Sequence, residues 1–244
     1  MFKLKISFLA ALLMCSAVHA ADVGVILKKA DGFRMLDGSV EVETLVQTLK
    51  HGKPDKEKRY QVLVRPGGKA LILFRSPGEA GQKVLMSGDD FWMFLPGSAR
   101  PIRITPLQKL LGDASTGDIA TMTWSGDYSG TVAGEVTLDG VLCLELELSA
   151  LRKSLSYQRV VLHVAKGDYR PVHADLYAAS NRKLKQARYV VEQREGRQQV
   201  TRMVLSDEVQ TARETVVSIL STKPRQFGDE LFNAMYLSRS DGKP

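Results

Sequence analysis

The chain has 244 residues, 44% of them hydrophobic and 25% charged, with a formal net charge of +7 and two cysteines. No basic run interleaves with aromatic residues, so nucleic acid is not an expected partner. The mild positive excess fits either an ordinary solvated surface or attraction to an anionic membrane face or protein.

Residues 1–20 read as an export signal. Lys3 and Lys5 give a positive start, Ile6 to Met14 an apolar run too short to span a bilayer, and Val18-His19-Ala20 a small-residue cleavage site. The rival is a lipoprotein signal ending at Cys15, but Leu12-Leu13-Met14 lacks the small residue wanted before a lipidated cysteine. Cleavage after Ala20 leaves residues 21–244 as one expected domain. Its single cysteine, Cys143, has no internal disulfide partner and reads as a packed small hydrophobe. Glu145 and Glu147 are the opposite of the basic neighbours that activate a thiol. No later segment is long and apolar enough for a transmembrane helix, so the expected product is soluble and exported.

Asp22 to Asp31 is an amphipathic helix candidate, capped by Asp22, with Val25, Ile26 and Lys29 along one side and Gly32 at its end. Strands follow. Val40, Val42 and Val46 share a face of Ser39 to Lys50, a turn covers His51 to Asp55, and Tyr60, Val62 and Val64 alternate up to Pro66-Gly67-Gly68.

Lys69 to Ile104 reads as four strands cut by Ser76-Pro77-Gly78, Ser87-Gly88-Asp89-Asp90 and Pro96-Gly97-Ser98. Leu71-Ile72-Leu73-Phe74 and Phe91-Trp92-Met93-Phe94-Leu95 are apolar on both faces. Such strands must be covered twice, by core on one side and by a lid, a helix or a ligand on the other.

Thr105 to Gly112 has the signals of a short helix, with Thr105 as cap, Pro106 at the first position and Gly112 as stop. Asp113 to Ala120 reads as an exposed loop and Met122 to Trp124 as an extended segment. From Val132 the chain is a meander. In Leu142 to Leu148 the leucines alternate with Cys143, Glu145 and Glu147, so Leu144 and Leu146 should be buried while Glu145 faces water. Further strands cover Tyr157–Ala165, Pro171–Ala178, Leu184–Arg194, Gln199–Leu205 and Thr211–Leu220, and Phe227 to Met235 reads as a closing short helix. The expectation is a mainly β fold: one large antiparallel sheet of about eleven strands with a few short helices. A sheet that size should curl, and its concave face should be closed into a barrel or plugged by the helices.

The pattern F-x-S-P-x-x-x-G-x-K-x-L, then G-D-D-F-W-M-F-L-P, then R-P-I-R-I resembles the outer-membrane lipoprotein-sorting, LolA-like family of periplasmic proteins. The matching positions are Phe74, Pro77, Gly81, Lys83, Leu85, Trp92, Pro96, Arg100 and Arg103. Leu111-Gly112-Asp113, Gly117 to Ala120 and Asp127-Tyr128 extend the match. The resemblance implies a curved, incomplete antiparallel barrel with helices over its mouth. It also implies a periplasmic carrier that shields a lipid or lipoprotein acyl chains between membranes, with an inner-membrane transporter or permease as partner. The alternative is a non-catalytic adaptor or sensor docked on such a permease. The lid-latching arginine of the family's carriers finds no residue-by-residue match.

No motif compels an enzyme. There is no G-x-S-x-G elbow, no phosphate-binding glycine loop and no defensible Ser-His-Asp order. His163 and His173 flank a hairpin near Asp175, but without metal-ligand spacing or a third strong ligand, so neither metal nor other cofactor is expected. The candidate ligand-binding residues are Leu71, Leu73, Leu85, Trp92, Phe94, Leu144 and Leu146, with Trp92 and Phe94 foremost. Arg100 and Arg103 either make surface pairs or meet an anionic head group. A monomer is expected.

Overall fold

The computed structural model describes residues 22–35, 38–111, 114–120, 123–206 and 213–238. The expected export signal and Cys15 lie outside the described residues.

Helix α1 (Val23–Gly32) starts where the sequence places it: the Asp22 carboxylate accepts from the Gly24 N–H at 2.9 Å. Its buried face is Ile26, Leu27 and Ala30, whereas Val25 and Lys29 face outward. Six strands then form a meander: β1 (Val40–Lys50), β2 (Lys53–Arg65), β3 (Lys69–Phe74), β4 (Lys83–Ser87), β5 (Asp90–Phe94) and β6 (Ile102–Ile104). A two-stranded ribbon, β7 (Lys109–Leu111) and β8 (Ala114–Ser115), leads to the single-turn helices α2 (Thr116–Ile119) and α3 (Trp124–Asp127). The second meander is β9 (Tyr128–Leu138), β10 (Val141–Ala150), β11 (Arg159–Ala165), β12 (Pro171–Tyr177), β13 (Lys183–Arg194), β14 (Arg197–Ser206) and β15 (Arg213–Pro224). Two 3-10 turns, Asp229–Phe232 and Ala234–Tyr236, close the described chain.

The large sheet has 13 strands rather than about eleven, in the order β6-β5-β4-β3-β2-β1-β15-β14-β13-β12-β11-β10-β9. Every pairing is antiparallel, and only β1 with β15 joins strands distant in sequence. Three hairpins turn on two residues that both have positive φ: His51-Gly52, Asp139-Gly140 and Glu195-Gly196. That is the geometry whose twist matches paired strands, and it makes these turns legible from sequence. The sheet is open, with β6 and β9 at its edges, but it curls. Phe91 and Met93 of β5 belong to the same core as Tyr128 of β9 and Leu148 of β10. Arg152, just after β10, bridges Asp89 in the β4–β5 turn and Asp127 of α3.

Five local expectations are corrected. The turn read over His51 to Asp55 is only His51-Gly52, since β2 begins at Lys53. Residues 105–111 are not a helix, and Gly112 lies outside the described residues. The Pro106 carbonyl accepts from the Gly117 N–H and the Thr116 hydroxyl, each at 2.9 Å, and the Gln108 carbonyl accepts from the Thr116 N–H at 2.9 Å. Carbonyls a helix would use internally are thus taken by the first residues of α2. Residues 114–120 are not an exposed loop, for Ala114 to Ala120 are all buried. Trp124 is not in a strand; it opens α3 and is fully buried. The closing helix is reduced to the two 3-10 turns.

The doubly apolar strands have two cores. Ala70, Ile72, Phe74, Val84, Met86 and Phe91 face the main interior with Leu144, Leu146 and Leu148, under α1, α2 and Trp124. Leu71, Leu73 and Leu85 face the other way and pack with Leu63 beneath Phe232 and Leu237 of the C-terminal segment, with Trp92 and Phe94 at the margin.

Candidate functional site

The interior of the curled sheet keeps a cavity of about 90 Å³. Strand alternation puts Val40, Val42, Val62, Val64, Met203 and Val217 in its wall, because β1, β2, β14 and β15 all present one apolar face inward. Met35 and Ile119 add to it from the segments after α1 and within α2. The polar lining includes Arg34, Asp118 and Tyr189. A void this size is about three waters' share of liquid volume and well below the ~300 Å³ at which drug-sized ligand sites begin.

Asp118 anchors the polar end. Its Oδ2 accepts from the Ser115 N–H at 2.8 Å, the Ser115 hydroxyl at 2.7 Å and the Lys185 ammonium at 2.6 Å, and its Oδ1 from the Tyr157 hydroxyl at 2.6 Å. Ser115 and Asp118 are three apart, so the carboxylate reaches back over the first turn of α2 to its N-cap. Burial pushes the Asp118 carboxyl up, but the Lys185 charge and the hydrogen bonds outweigh it and hold the group below its ordinary range. Burial, and then the Asp118 charge, pushes the Tyr157 hydroxyl far up. Gly117 sits between them because a Cβ there would lie 2.2 Å from the Ser156 hydroxyl and 3.1 Å from the Pro106 carbonyl.

A second group lies beside the first. Asp31, at the end of α1, accepts from the Trp124 N–H at 2.8 Å and from the Ser125 N–H at 3.0 Å, tying α3 to α1. The Arg34 guanidinium stacks 4.5 Å from the Trp124 ring and 5.9 Å from the Tyr189 ring. The two rings meet edge-on at 5.6 Å. Tyr189 is 7% exposed and Trp124 0%, yet neither the Tyr189 hydroxyl nor the Trp124 indole N–H has a hydrogen-bond partner among the described residues. Burial raises the Tyr189 hydroxyl to about 12, partly offset by Arg34, so it stays protonated and a donor at neutral pH. A buried donor without an acceptor costs about 1–3 kcal/mol.

The structure divides the sequence-derived candidates. Leu144 and Leu146 face the interior. Leu71, Leu73, Leu85, Trp92 and Phe94 lie on the outer face, against the C-terminal segment. There the buried Lys83 ammonium donates to the Leu237 carbonyl at 2.9 Å and lies 5.3 Å from the centre of the Phe94 ring. Arg103 pairs with Asp90 and lies 5.8 Å from the Trp92 ring, and Arg100 is exposed. Sequence reasoning missed Arg34, Tyr157, Lys185 and Tyr189, and it met Asp118 only within the Gly117–Ala120 resemblance and as a turn acid. A signal was present in β13, where Lys185, Ala187 and Tyr189 share one face: a lysine in register with a buried alanine needs an acid.

His163 and His173 are direct cross-strand partners with ring centres 5.6 Å apart. His163 Nε2 lies 3.0 Å from Glu145, and His173 Nε2 lies 3.3 Å from Gln186 and 3.9 Å from Asp175. Burial, against the attraction of Asp175, pulls the His173 imidazole below its ordinary value. No group of three or more potential metal ligands occurs among the described residues. No described helix is long and apolar enough to cross a membrane.

A family model described as "-like: Uncharacterized protein" matches residues 67–239. No curated protein matches the chain. Among solved structures, a LolA superfamily protein from Nitrosomonas europaea is 32% identical, with a TM-score of 0.81, over 89% of this chain and 100% of that one. A DUF1329 family protein from Desulfovibrio piger is 22% identical, with a TM-score of 0.72, over 88% and 97% of the two chains. A proposed outer membrane lipoprotein-sorting protein domain from Vibrio parahaemolyticus is 18% identical, with a TM-score of 0.70, over 88% and 98%. The last two share the fold.

Proposed function

The chain belongs to the LolA superfamily, and from that premise we propose that it is a periplasmic binding protein that shields an acyl chain of a lipid or lipoprotein inside its curled sheet. The observation that carries this reading is the interior void, walled by aliphatic side chains and bordered by Arg34 and Tyr189. Each buried CH₂ contributes about 0.8 kcal/mol, so a dry interior holds a chain without covalent chemistry. The mechanism is binding rather than catalysis. Leu144 and Leu146 form part of the apolar interior that receives the chain. The size of the void makes opening part of uptake. Met35 and Met203, unbranched and adaptable, are the wall residues best suited to yield. The export signal at residues 1–20 supports a periplasmic location, and an inner-membrane permease is the partner that would load or unload the protein.

The small void also favours a second reading, a non-catalytic adaptor docked on such a permease with its interior simply packed. Lipid extraction and mass spectrometry of protein isolated from the periplasm separate the two. The carrier reading expects near-stoichiometric acyl lipid. Protein free of lipid in every preparation, and unable to take up an acyl probe, leaves the adaptor.

A further inference from the structure

We propose that the occupant of this interior is a single acyl chain bearing a carboxyl oxygen, and that the Tyr189 hydroxyl, beside the Arg34 guanidinium, receives that oxygen. The proposal rests on the carrier reading and narrows its ligand class.

The cavity's polar end divides into satisfied and unsatisfied groups. Asp118 accepts from four donors, and the Lys185 charge matches its own. It therefore asks nothing further of a ligand. The Tyr189 hydroxyl is different: it lines the cavity, is buried, and has no acceptor among the described residues. The Trp124 indole N–H, whose ring meets that of Tyr189 at 5.6 Å, is equally without an acceptor. The indole N–H can only donate and the hydroxyl can donate as well as accept, so an acceptor is the one chemistry that serves both. The Arg34 guanidinium over both rings favours an acceptor that is negative or strongly polar. The rest of the wall is aliphatic and offers an occupant only burial. An acyl chain ending in a carboxyl group has this composition, with its oxygens at one end and hydrocarbon beyond.

Size limits the number of chains. The void of about 90 Å³ shares Met35 and Val64 with a neighbouring cleft of about 660 Å³, and together they have room for one chain's hydrocarbon. Several chains would require the β1, β2, β14 and β15 walls to part, and these strands pair with one another. A free carboxylate and the ester of a monoacyl lipid both supply the acceptor.

The test uses the purified mature chain and displacement of a fluorescent acyl probe by palmitate, methyl palmitate and hexadecanol. Hexadecanol, which has no carboxyl group, should bind weakest. Palmitate binding more tightly than methyl palmitate identifies the free carboxylate, and equal binding identifies the ester oxygen. Tyr189→Phe removes only the hydroxyl. It should weaken the better carboxyl ligand about tenfold, and hexadecanol, whose hydroxyl also accepts but carries neither charge nor carbonyl, by less. Its melting temperature without ligand should not fall, because the lost hydroxyl has no partner there. Hexadecanol binding as tightly as palmitate, or unchanged palmitate affinity in Tyr189→Phe, overturns the proposal. Uptake of a triacylated peptide with no uptake of any single-chain ligand overturns it while leaving the carrier reading standing. Uptake of no acyl compound at all defeats the carrier reading itself.

Discussion

The sheet is covered on both faces, and the two covers differ in how they treat polar groups. On the outer face the C-terminal segment lies over Leu63, Leu71, Leu73 and Leu85. The one buried cation there, Lys83, is satisfied by the Leu237 carbonyl and lies near the Phe94 ring. On the inner face α1, α2 and α3 bury an aspartate–lysine pair, and at the void's polar end the Tyr189 hydroxyl and the neighbouring Trp124 indole N–H have no acceptor among the described residues. Completed polar groups are what a static cover needs, because an unpaired buried group is costly. Incomplete ones beside a void are what a site with an intermittent occupant leaves behind. This contrast is the reason for placing ligand binding inside and structural packing outside.

The largest expected effect is on the inner pair. Lys185→Ala strands a buried carboxylate and should cost about 3–5 kcal/mol, a drop of roughly 10 °C in thermal melts for a domain of this size. Combining Lys185→Met with Asp118→Asn should recover much of that loss. If the double variant melts as low as the single, the pair is not the reason for the loss. The same pair sets an acid limit. The folded carboxyl lies below its ordinary value of 3.8, so its contribution is fully present above that pH and is lost as pH falls through the folded value. Asp118→Asn should flatten the stability curve on that acid side.

Next come the outer leucines. Leu85→Ala should cost about 2–5 kcal/mol while leaving acyl-probe affinity unchanged. Trp92→Ala, at a half-buried site, should cost less and likewise spare binding. Either variant losing affinity more than stability would merge the two faces into one function. Leu146→Glu should do the reverse of a tolerated change, destabilising the fold or abolishing uptake, because a carboxylate there has no counter-charge. Glu145→Gln, on the wet side of the same strand, should do neither. The smallest effect belongs to the outer imidazoles. The His173 pKa is depressed in the fold, so its contribution is present above 6.5 and fades as pH falls through the lower folded value. His173→Gln should remove a slight slope in melting temperature between about pH 5 and 7.

Much of this architecture was legible in the sequence. Alternation in Leu142–Leu148 placed Leu144 and Leu146 inside and Glu145 outside, and the turns at Asp139-Gly140 and Glu195-Gly196 fell between strands as read, whereas the turn read over His51 to Asp55 is confined to His51-Gly52. The doubly apolar strands correctly demanded two covers, but alternation does not say which face meets which cover. Trp92 and Phe94 were therefore grouped with Leu144 although the sheet separates them. The polar end was not legible as a site because its members come from α1, α2, the segment before β11 and β13, and meet only when the sheet curls. Residues 105–111 show the converse: helix-like capping signals lost because the Pro106 and Gln108 carbonyls bond to the first residues of α2.

The central claim, that the inner rather than the outer covered face receives an acyl chain, is tested most directly by photo-crosslinking. A palmitate carrying a diazirine on its chain would be bound to the mature protein, irradiated, and the adducts located by mass spectrometry of the peptides. The account predicts adducts on the inner wall, at Met35, Met203 and Val217 and the strands around them, suppressed by excess palmitate. Adducts confined to Trp92, Phe94 and Phe232, with the inner wall unlabelled, would contradict it.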